Sequence, residues 1–295
     1  MPIRVARYSD LNRITEIIAA SFYNEELHAH IFPHRQQYPA DHLRAWRQQI
    51  SQWWWDYNRI WIVSYEQDEA LGSQRLTGVA HWSKAGLGAE SLWGVRWWDP
   101  RRSIVKIVTW FNSIQRFFFP NRAQRQPTPS DPTPLTKWNF APSLYPFISH
   151  FFSEPPYRRN HWELDVLAVN PPDQKSGIGR TLVAWGLERA KADGLPAVVI
   201  GAKGTERFYQ RCGFELLVGA CPDVEFIDVP GTSGEDSSAG TGVPNGTRVR
   251  NPLRERNIGG GAVMWTKVKE DEEEEGGGGK HVEEKICGRP VSRKC

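Results

Sequence analysis

Apolar and polar positions alternate over residues 3–7, the two-residue period of a short strand, and the period then changes. Ser9 and Asp10 offer N-cap oxygens ahead of Leu11, Ile14, Ile17, Ile18 and Ser21, whose spacing predicts a helix. A second helix is predicted from about 40 to 57, with Leu43, Trp46, Ile50, Trp53, Trp54 and Tyr57 on one side. Ile60–Tyr65 and Leu76–Trp82 are β-branched and aromatic runs on either side of polar residues and Gly72, which predicts a strand pair. Further on, His161–Val169 reads as a strand and Gly177–Ala192 as a helix with Leu182, Val183 and Leu187 inward. Ala197–Ile200, Gly204–Cys212 and Phe214–Val218 read as strand, short helix and strand. Ala262–Val268 regains strand character and is expected to close the sheet. This order predicts an α/β fold with a mixed sheet rather than a plain doubly wound one.

Residues 83–158 interrupt the pattern as an insert. Within it Ile104, Ile107, Val108, Phe111, Gln115 and Phe118 share one helical face, and Arg101, Arg102, Lys106 and Arg116 lie on the other. Pro120–Pro134 is rich in Pro, Thr, Ser and Gln and reads as a loop, after which residues 137–150 turn aromatic again. Residues 230–261, dominated by Gly, Ser, Thr and Asn, read as a flexible excursion, and 269–295, with DEEEE and GGGG runs, as a disordered tail. The predicted organisation is one domain over 1–229, carrying the insert and completed by the strand at 262–268.

Composition narrows the function classes. A net charge of +3 on 295 residues is nearly balanced, and no RRM, zinc-finger or basic-zipper pattern is present, so a nucleic-acid partner is not expected. Fourteen tryptophans predict an aromatic core or a greasy substrate groove. The opening MPIRVARYSD has no apolar leader, and no run approaches the ~20 apolar residues of a membrane span. Cys212, Cys221, Cys287 and Cys295 form no metal-ligand pattern, so a cytoplasmic chain with free thiols is expected, the nucleus being the alternative. Asn245-Gly246-Thr247 is a glycosylation sequon, read as chance without a secretory leader.

The chemistry lies in residues 161–194. A strand runs into Asn170-Pro171-Pro172, then a glycine-containing loop, then an amphipathic helix. Gly177 and Gly179 let backbone amides approach a ligand, and those amides stand at a helix N-terminus, where unpaired donors and the dipole favour an anion such as a pyrophosphate. Lys175 and Arg180 add positive charge beside them. The third glycine of a dinucleotide fingerprint is replaced by Leu182, and no Gly-Lys-Ser/Thr follows, so dinucleotide and P-loop readings fail. His28, His30 and His34 suggest a metal, but Pro33 interrupts the helix that would align them and no acid or cysteine completes a set. No metal is expected.

Gln174-Lys175-Ser176-Gly177-Ile178-Gly179 resembles the Q/R-x-x-G-x-G/A signature of the GNAT acetyltransferase superfamily, and it follows a Leu167-Ala168-Val169-Asn170-Pro171 strand end as in that family. Thirty residues on, Phe208-Tyr209-Gln210-Arg211-Cys212-Gly213-Phe214 resembles the second signature, FYxxxGF, and IRVARYSDLNRITEIIAASF is similar to the family's opening. The resemblance covers roughly 1–82, 160–218 and the strand at 262–268. It implies a partly splayed sheet and acetyl transfer from acetyl-CoA, as acyl-donor substrate, to a primary amine by direct attack in a ternary complex. It also implies that Leu167, Ala168 and Val169 meet the pantetheine arm and thioester, and that Gln174, Lys175, Ser176, Gly177, Ile178, Gly179 and Arg180 hold the pyrophosphate. Tyr209 resembles the residue that protonates the departing thiolate; the alternative is an aromatic packed beside Phe208 and Phe214. Glu163 stands where members acting on lysine carry a catalytic glutamate, and Asp165, two residues on, shares its strand face. Either could deprotonate the amine, directly or through water, or could only bind its charge. Phe22, His28 and His34 fall where the family borders its acceptor pocket. Ala202 departs from the asparagine common at its position and is similar to variants in fungal members, which puts the cofactor contacts there in doubt.

A non-catalytic acyl-CoA-binding module is the competing reading, motivated by Ala202 and the insert. Residues 96–125 hold seven Lys or Arg against one Asp, with Trp97, Trp98, Trp110 and Phe117–Phe119 interleaved. The insert is expected to fold over the acceptor groove and bury these aromatics there; contact with an anionic membrane surface is the alternative.

Overall fold

The computed structural model describes residues 1–68, 73–86, 92, 99, 101–229 and 247–268. Gly72, Trp97, Trp98, the excursion from 230 to 246 with Asn245, and the tail from 269 with Cys287 and Cys295 lie outside the described residues. The strands are β1 (Ile3–Val5), β2 (Arg59–Asp68), β3 (Ser73–Ala85), β4 (His161–Val169), β5 (Ala197–Gly201), β6 (Leu216–Ala220), β7 (Phe226–Val229), β8 (Thr247–Arg250) and β9 (Ala262–Trp265). The helices are α1 (Leu11–Ser21), α2 (Glu26–Ile31), α3 (Pro39–Trp54), α4 (Arg101–Phe118), α5 (Phe140–Ile148), α6 (His150–Ser153), α7 (Ile178–Ala192), α8 (Glu206–Cys212) and α9 (Pro252–Glu255).

Seven strands form one mixed sheet in the order β1-β2-β3-β4-β5-β9-β6. β4 and β5 run parallel, and the other neighbours run antiparallel. The two-residue period of the strands divides their side chains between the faces. Ile60, Ile62, Ala80, Trp82 and Leu164 pack with Ile178, Leu182 and Val183 of α7. Trp61, Val63, Val79, Val166 and Ala168 pack with Ile14, Ile17 and Ile18 of α1 and Trp46 and Ile50 of α3. Beyond β4, Val198, Val263 and Trp265 meet Leu144 and Phe147 of α5 and Phe151 of α6. His81 pairs with Val166 and Trp82 with Leu164, so Asp165 is an extra residue in β4, a bulge. The bulge explains why Leu164 and Val166 lie on opposite faces although two residues apart.

Three expectations need correcting. The strand expected over 262–268 to close the sheet does join it, but as Ala262–Trp265 and from within: β9 enters between β5 and β6, and β6 is the outer strand. The later part of the excursion is structured. β8 pairs with β7 in a separate two-stranded ribbon, and fully buried Asn251 ties it down by donating to the Cys221 and Val224 carbonyls, both at 2.9 Å.

The third concerns α4, which turns its apolar face outward. Asn112, 5% exposed, donates to the Gln48 carbonyl at 3.1 Å and lies 3.3 Å from Ser51 Oγ, while Gln48 Nε2 donates to Gln115 Oε1 at 3.1 Å. These polar bonds fix the helix on α3. Ile107, Trp110, Phe111 and Phe117–Phe119 are left exposed rather than buried over a groove.

Gly186, inside α7, lies against fully buried Trp82; a Cβ there would stand 2.1 Å from Trp82 Cε2. Alanine is the better helix former by about 1 kcal/mol, but overpacking a filled core costs about 1–3 kcal/mol. Gly186→Ala is therefore expected to lower the urea midpoint of unfolding. A variant as stable as the parent would show that Trp82 has room to move.

Candidate active site

The site begins where the sheet parts. β4 and β5 pair at Trp162–Ala197, Glu163–Val198 and Leu164–Val199, and no further rung follows. β4 continues to Val169 on β3 alone, while β5 turns away paired with β9 up to Gly201. The Asn170 amide donates to the Thr77 carbonyl at 2.9 Å. Strand alternation then aims the amide of Ala168 at β3 and those of Leu167 and Val169 into the gap. The Val169 carbonyl accepts from Ser21 Oγ at the end of α1 (2.8 Å) and from Gln174 Nε2 (3.2 Å).

The glycine loop lies directly beyond. Its base is pinned by Asp173, which accepts from both Arg75 Nη atoms at 2.9 Å and from Asn170 Nδ2 at 2.7 Å. The Arg75 guanidinium beside Asp173 holds this carboxyl below its usual range. The backbone is left-handed at Lys175 (φ 64°) and at Gly177 (φ 87°), the N-cap of α7. For a lysine this conformation costs roughly 1–2 kcal/mol, the kind of local strain that collects at ligand sites. Turns of this kind aim successive amides at one anion. Gln174, Lys175, Ser176, Gly177 and Arg180 are exposed, and nothing lies within 4 Å of where a Gly177 Cβ would stand. The loop thus fits a pyrophosphate: its donors are open to solvent, two cations flank it, and the start of α7 points at it.

The second motif meets the first at the parting. A Cβ on Gly179 would touch Phe208 at 3.2 Å and Leu167 at 3.8 Å, and one on Gly201 would touch Tyr209 at 3.4 Å. Tyr209 therefore lies against the end of β5. It is 8% exposed and edge-on to Phe208 and Phe214. Burial pushes its phenol above the ordinary value.

On the α1–α3 side of β4 stands the acid pair. Glu163 lies one rung before pairing with β5 ends, and Asp165 is the first residue past it. Arg59, Ser83 and Glu163 are register partners across β2, β3 and β4. Asp165 Oδ1 accepts from Arg59 Nη1 at 3.0 Å, and Arg59 Nε donates to Asp56 at 2.8 Å. His81, fully buried between Trp53 and Trp61, has Nδ1 3.3 Å from Asp165 Oδ2, too poorly aligned for a hydrogen bond. The two carboxyls diverge in acidity. Burial, reinforced by Asp165, pushes Glu163 up to about 8 against the pull of Arg59. Burial opposes the Asp165 anion too, but Arg59 holds that carboxyl well below the usual range. Arg59 also lines a recess of about 190 Å³ walled by Trp54, Trp55, Tyr57 and Trp61.

Of the three histidines, His28 enters a buried cluster, whereas His34 is exposed beyond the end of α2 and His30 Nε2 has no partner. His28 Nδ1 lies 2.6 Å from Glu25 Oε2, its ring stacks on Trp46 and lies tilted against Phe22, and Lys137 Nζ lies 3.5 Å from Nε2. Burial takes His28 down to about 4 and Lys137 down to about 7. Lys137, Arg59 and His81 were not among the candidates from sequence. For His81 the signal was present: a polar residue inside the apolar run Leu76–Trp82. Arg59 and Lys137 carry none, since both owe their setting to chain segments distant in sequence. Among the described residues no group of three or more His, Cys, Asp or Glu is arranged to hold a metal, and no helix is long and apolar enough to cross a membrane.

A mixed α/β sheet that parts at its parallel pair, with an anion-ready turn at the opening, is the GNAT type of fold. Residues 144–214 match the model of the acetyltransferase (GNAT) family. No curated protein matches the chain in sequence. Similar solved structures include a histone acetyltransferase HPA2 and related acetyltransferase from Corynebacterium glutamicum, 16% identical, covering 90% of this chain and 95% of that one, with a TM-score of 0.43. A GNAT family acetyltransferase from Brucella melitensis in complex with acetyl-CoA is 14% identical over 86% and 97%, with a TM-score of 0.34. Arylalkylamine N-acetyltransferase 2 from Aedes aegypti is 14% identical over 90% and 98%, also at 0.34. Likenesses this distant decide neither substrate nor mechanism.

Glu163 has a thermodynamic signature. Its carboxyl holds a proton to about pH 8 in the fold but releases it near 4.5 when free. Between these values the unfolded chain binds fewer protons, so this residue's contribution to stability falls as pH rises. Glu163→Gln removes that slope, and its melting temperature is expected to gain on the parent's from pH 5 to pH 9. Parallel curves would mean that Glu163 is solvated.

Proposed function

We propose that the protein is an acetyl-CoA-dependent N-acetyltransferase acting on a primary amine by direct attack. The observation that carries this reading is the acid Glu163, placed one rung before the sheet parts toward the anion-ready loop. The amides of residues 175–180 and the exposed cations Lys175 and Arg180 suit the pyrophosphate of the donor substrate, and the Leu167 and Val169 amides in the gap suit its pantetheine arm and thioester oxygen. A carboxylate whose proton leaves near pH 8 matches the task of taking one from an amine. Asp165, already held by Arg59, is the poorer base and keeps that cation in place. The amine nitrogen bonds to the thioester carbon, the carbon–sulfur bond breaks, and Glu163 takes the amine's proton directly or through water. Tyr209, kept protonated by burial, returns a proton to the leaving thiolate. The tryptophan-walled recess beside Arg59 favours an acceptor with an apolar or aromatic part.

Titration calorimetry tests the donor site: acetyl-CoA is expected to bind, and Gly177→Glu, which sets a carboxylate among the loop amides, to weaken binding at least about tenfold. Undiminished binding by that variant would move the donor elsewhere.

Steady-state rates test the chemistry. Glu163→Gln is expected to lower kcat by about 10²- to 10⁴-fold with donor affinity intact. The parent's kcat/KM should rise through about pH 8 as Glu163 ionises. Tyr209→Phe should lower kcat more than KM. Donor binding without turnover across a broad amine panel would instead favour a non-catalytic acyl-CoA-binding module.

A further inference from the structure

α4 is mounted the opposite way from an ordinary amphipathic helix. Its polar Asn112 and Gln115 face the protein, and at 100° per residue Ile107, Trp110, Phe111, Ile114, Phe117 and Phe118 fall within about a third of its circumference. Trp110 is 66% exposed and Phe117 79%, and Phe119 continues the patch past the helix end. The stripe from residue 107 to 118 is about 17 Å long. A soluble surface rarely leaves so continuous an apolar patch without a partner.

Charge identifies the partner. α4 contains no acidic residue. Lys106 is exposed beside the stripe. At the phenylalanine end Arg44 Nη2 donates to the carbonyls of Phe119 and Pro120 at 3.2 and 3.3 Å. Among the described residues Arg44 and Arg122 share a single counter-charge, Asp41, at 3.2 and 2.9 Å, which leaves that end net positive. Trp and Phe beside Lys and Arg suit the boundary between headgroups and acyl chains, and anionic headgroups would answer the unpaired charge. Pairing two copies through the same face would bring like charges together.

We infer that α4 docks on an anionic lipid membrane, lying in its surface with Trp110, Phe117 and Phe118 inserted. Co-sedimentation of the full chain tests this, using phosphatidylcholine vesicles with and without phosphatidylserine. The chain is expected to pellet with the serine-containing vesicles, and less so as salt rises. A Trp110→Ser/Phe117→Ser/Phe118→Ser variant should lose at least about tenfold in partitioning while keeping the parent's unfolding midpoint. Lys106→Glu should weaken pelleting only with the anionic vesicles. A parent that stays in the supernatant with both vesicles, or a triple variant that pellets equally, would overturn the inference. So would a concentration-dependent dimer in sedimentation velocity, abolished by the triple variant and accompanied by no vesicle binding; that outcome assigns the face to a second copy.

Discussion

The site depends on one interaction that ends early: the parallel pairing of β4 with β5, which stops at Leu164–Val199. Backbone polar groups in a sheet interior need partners, so a gap between neighbouring strands must be answered by other groups. Ser21 and Gln174 answer it at the Val169 carbonyl, joining the end of α1 and the glycine loop to the edge that β5 has left. The Leu167 and Val169 amides point into the same opening. The bulge at Asp165 falls just past the last rung, so β4 changes face where it loses its neighbour.

Electrostatics and packing converge on the same stretch of strand. Three layers of side chains from β2, β3 and β4 bring Arg59, His81 and two carboxyls into a space roofed by Trp53. Desolvating four such groups is costly unless their charges compensate. Arg59 supplies the compensation for Asp165, and Glu163 and His81 avoid the cost by staying neutral at neutral pH. The result is a pair of chemically similar acids with unlike affinities for protons, separated by one residue.

The order of the elements and the glycine turn at the start of α7 were legible because both are local. Gly177 and Gly179 before an apolar-periodic helix, and Phe208-Tyr209 before Gly213, carry their meaning within a few residues. The bulge was not legible, since Glu163 to Val166 reads as simple alternation and only pairing with β3 reveals the extra residue. Periodicity marked α4 as an amphipathic helix but set its apolar face too far round, taking in Gln115 and missing Trp110 and Phe117. It did not give the direction, because Gln48 and Ser51, which hold the polar side, lie on a helix about sixty residues earlier. Composition misjudged residues 247–261 for a related reason: small polar residues such as Asn251 suit a loop and equally suit buried bonding of a ribbon.

The insertion of β9 between β5 and β6 has a consequence for how the chain acquires its shape. During synthesis β5 and β6 leave the ribosome together, yet neither touches the other. The strand that separates them emerges only some forty residues after β6. Until then β5 lacks one of its two native neighbours, and edges of this kind recruit strands from other molecules. The pairing of Val198 with Trp265 must therefore wait for β9. The half of the sheet nearest the glycine turn can be native-like while the other half still awaits its central strand.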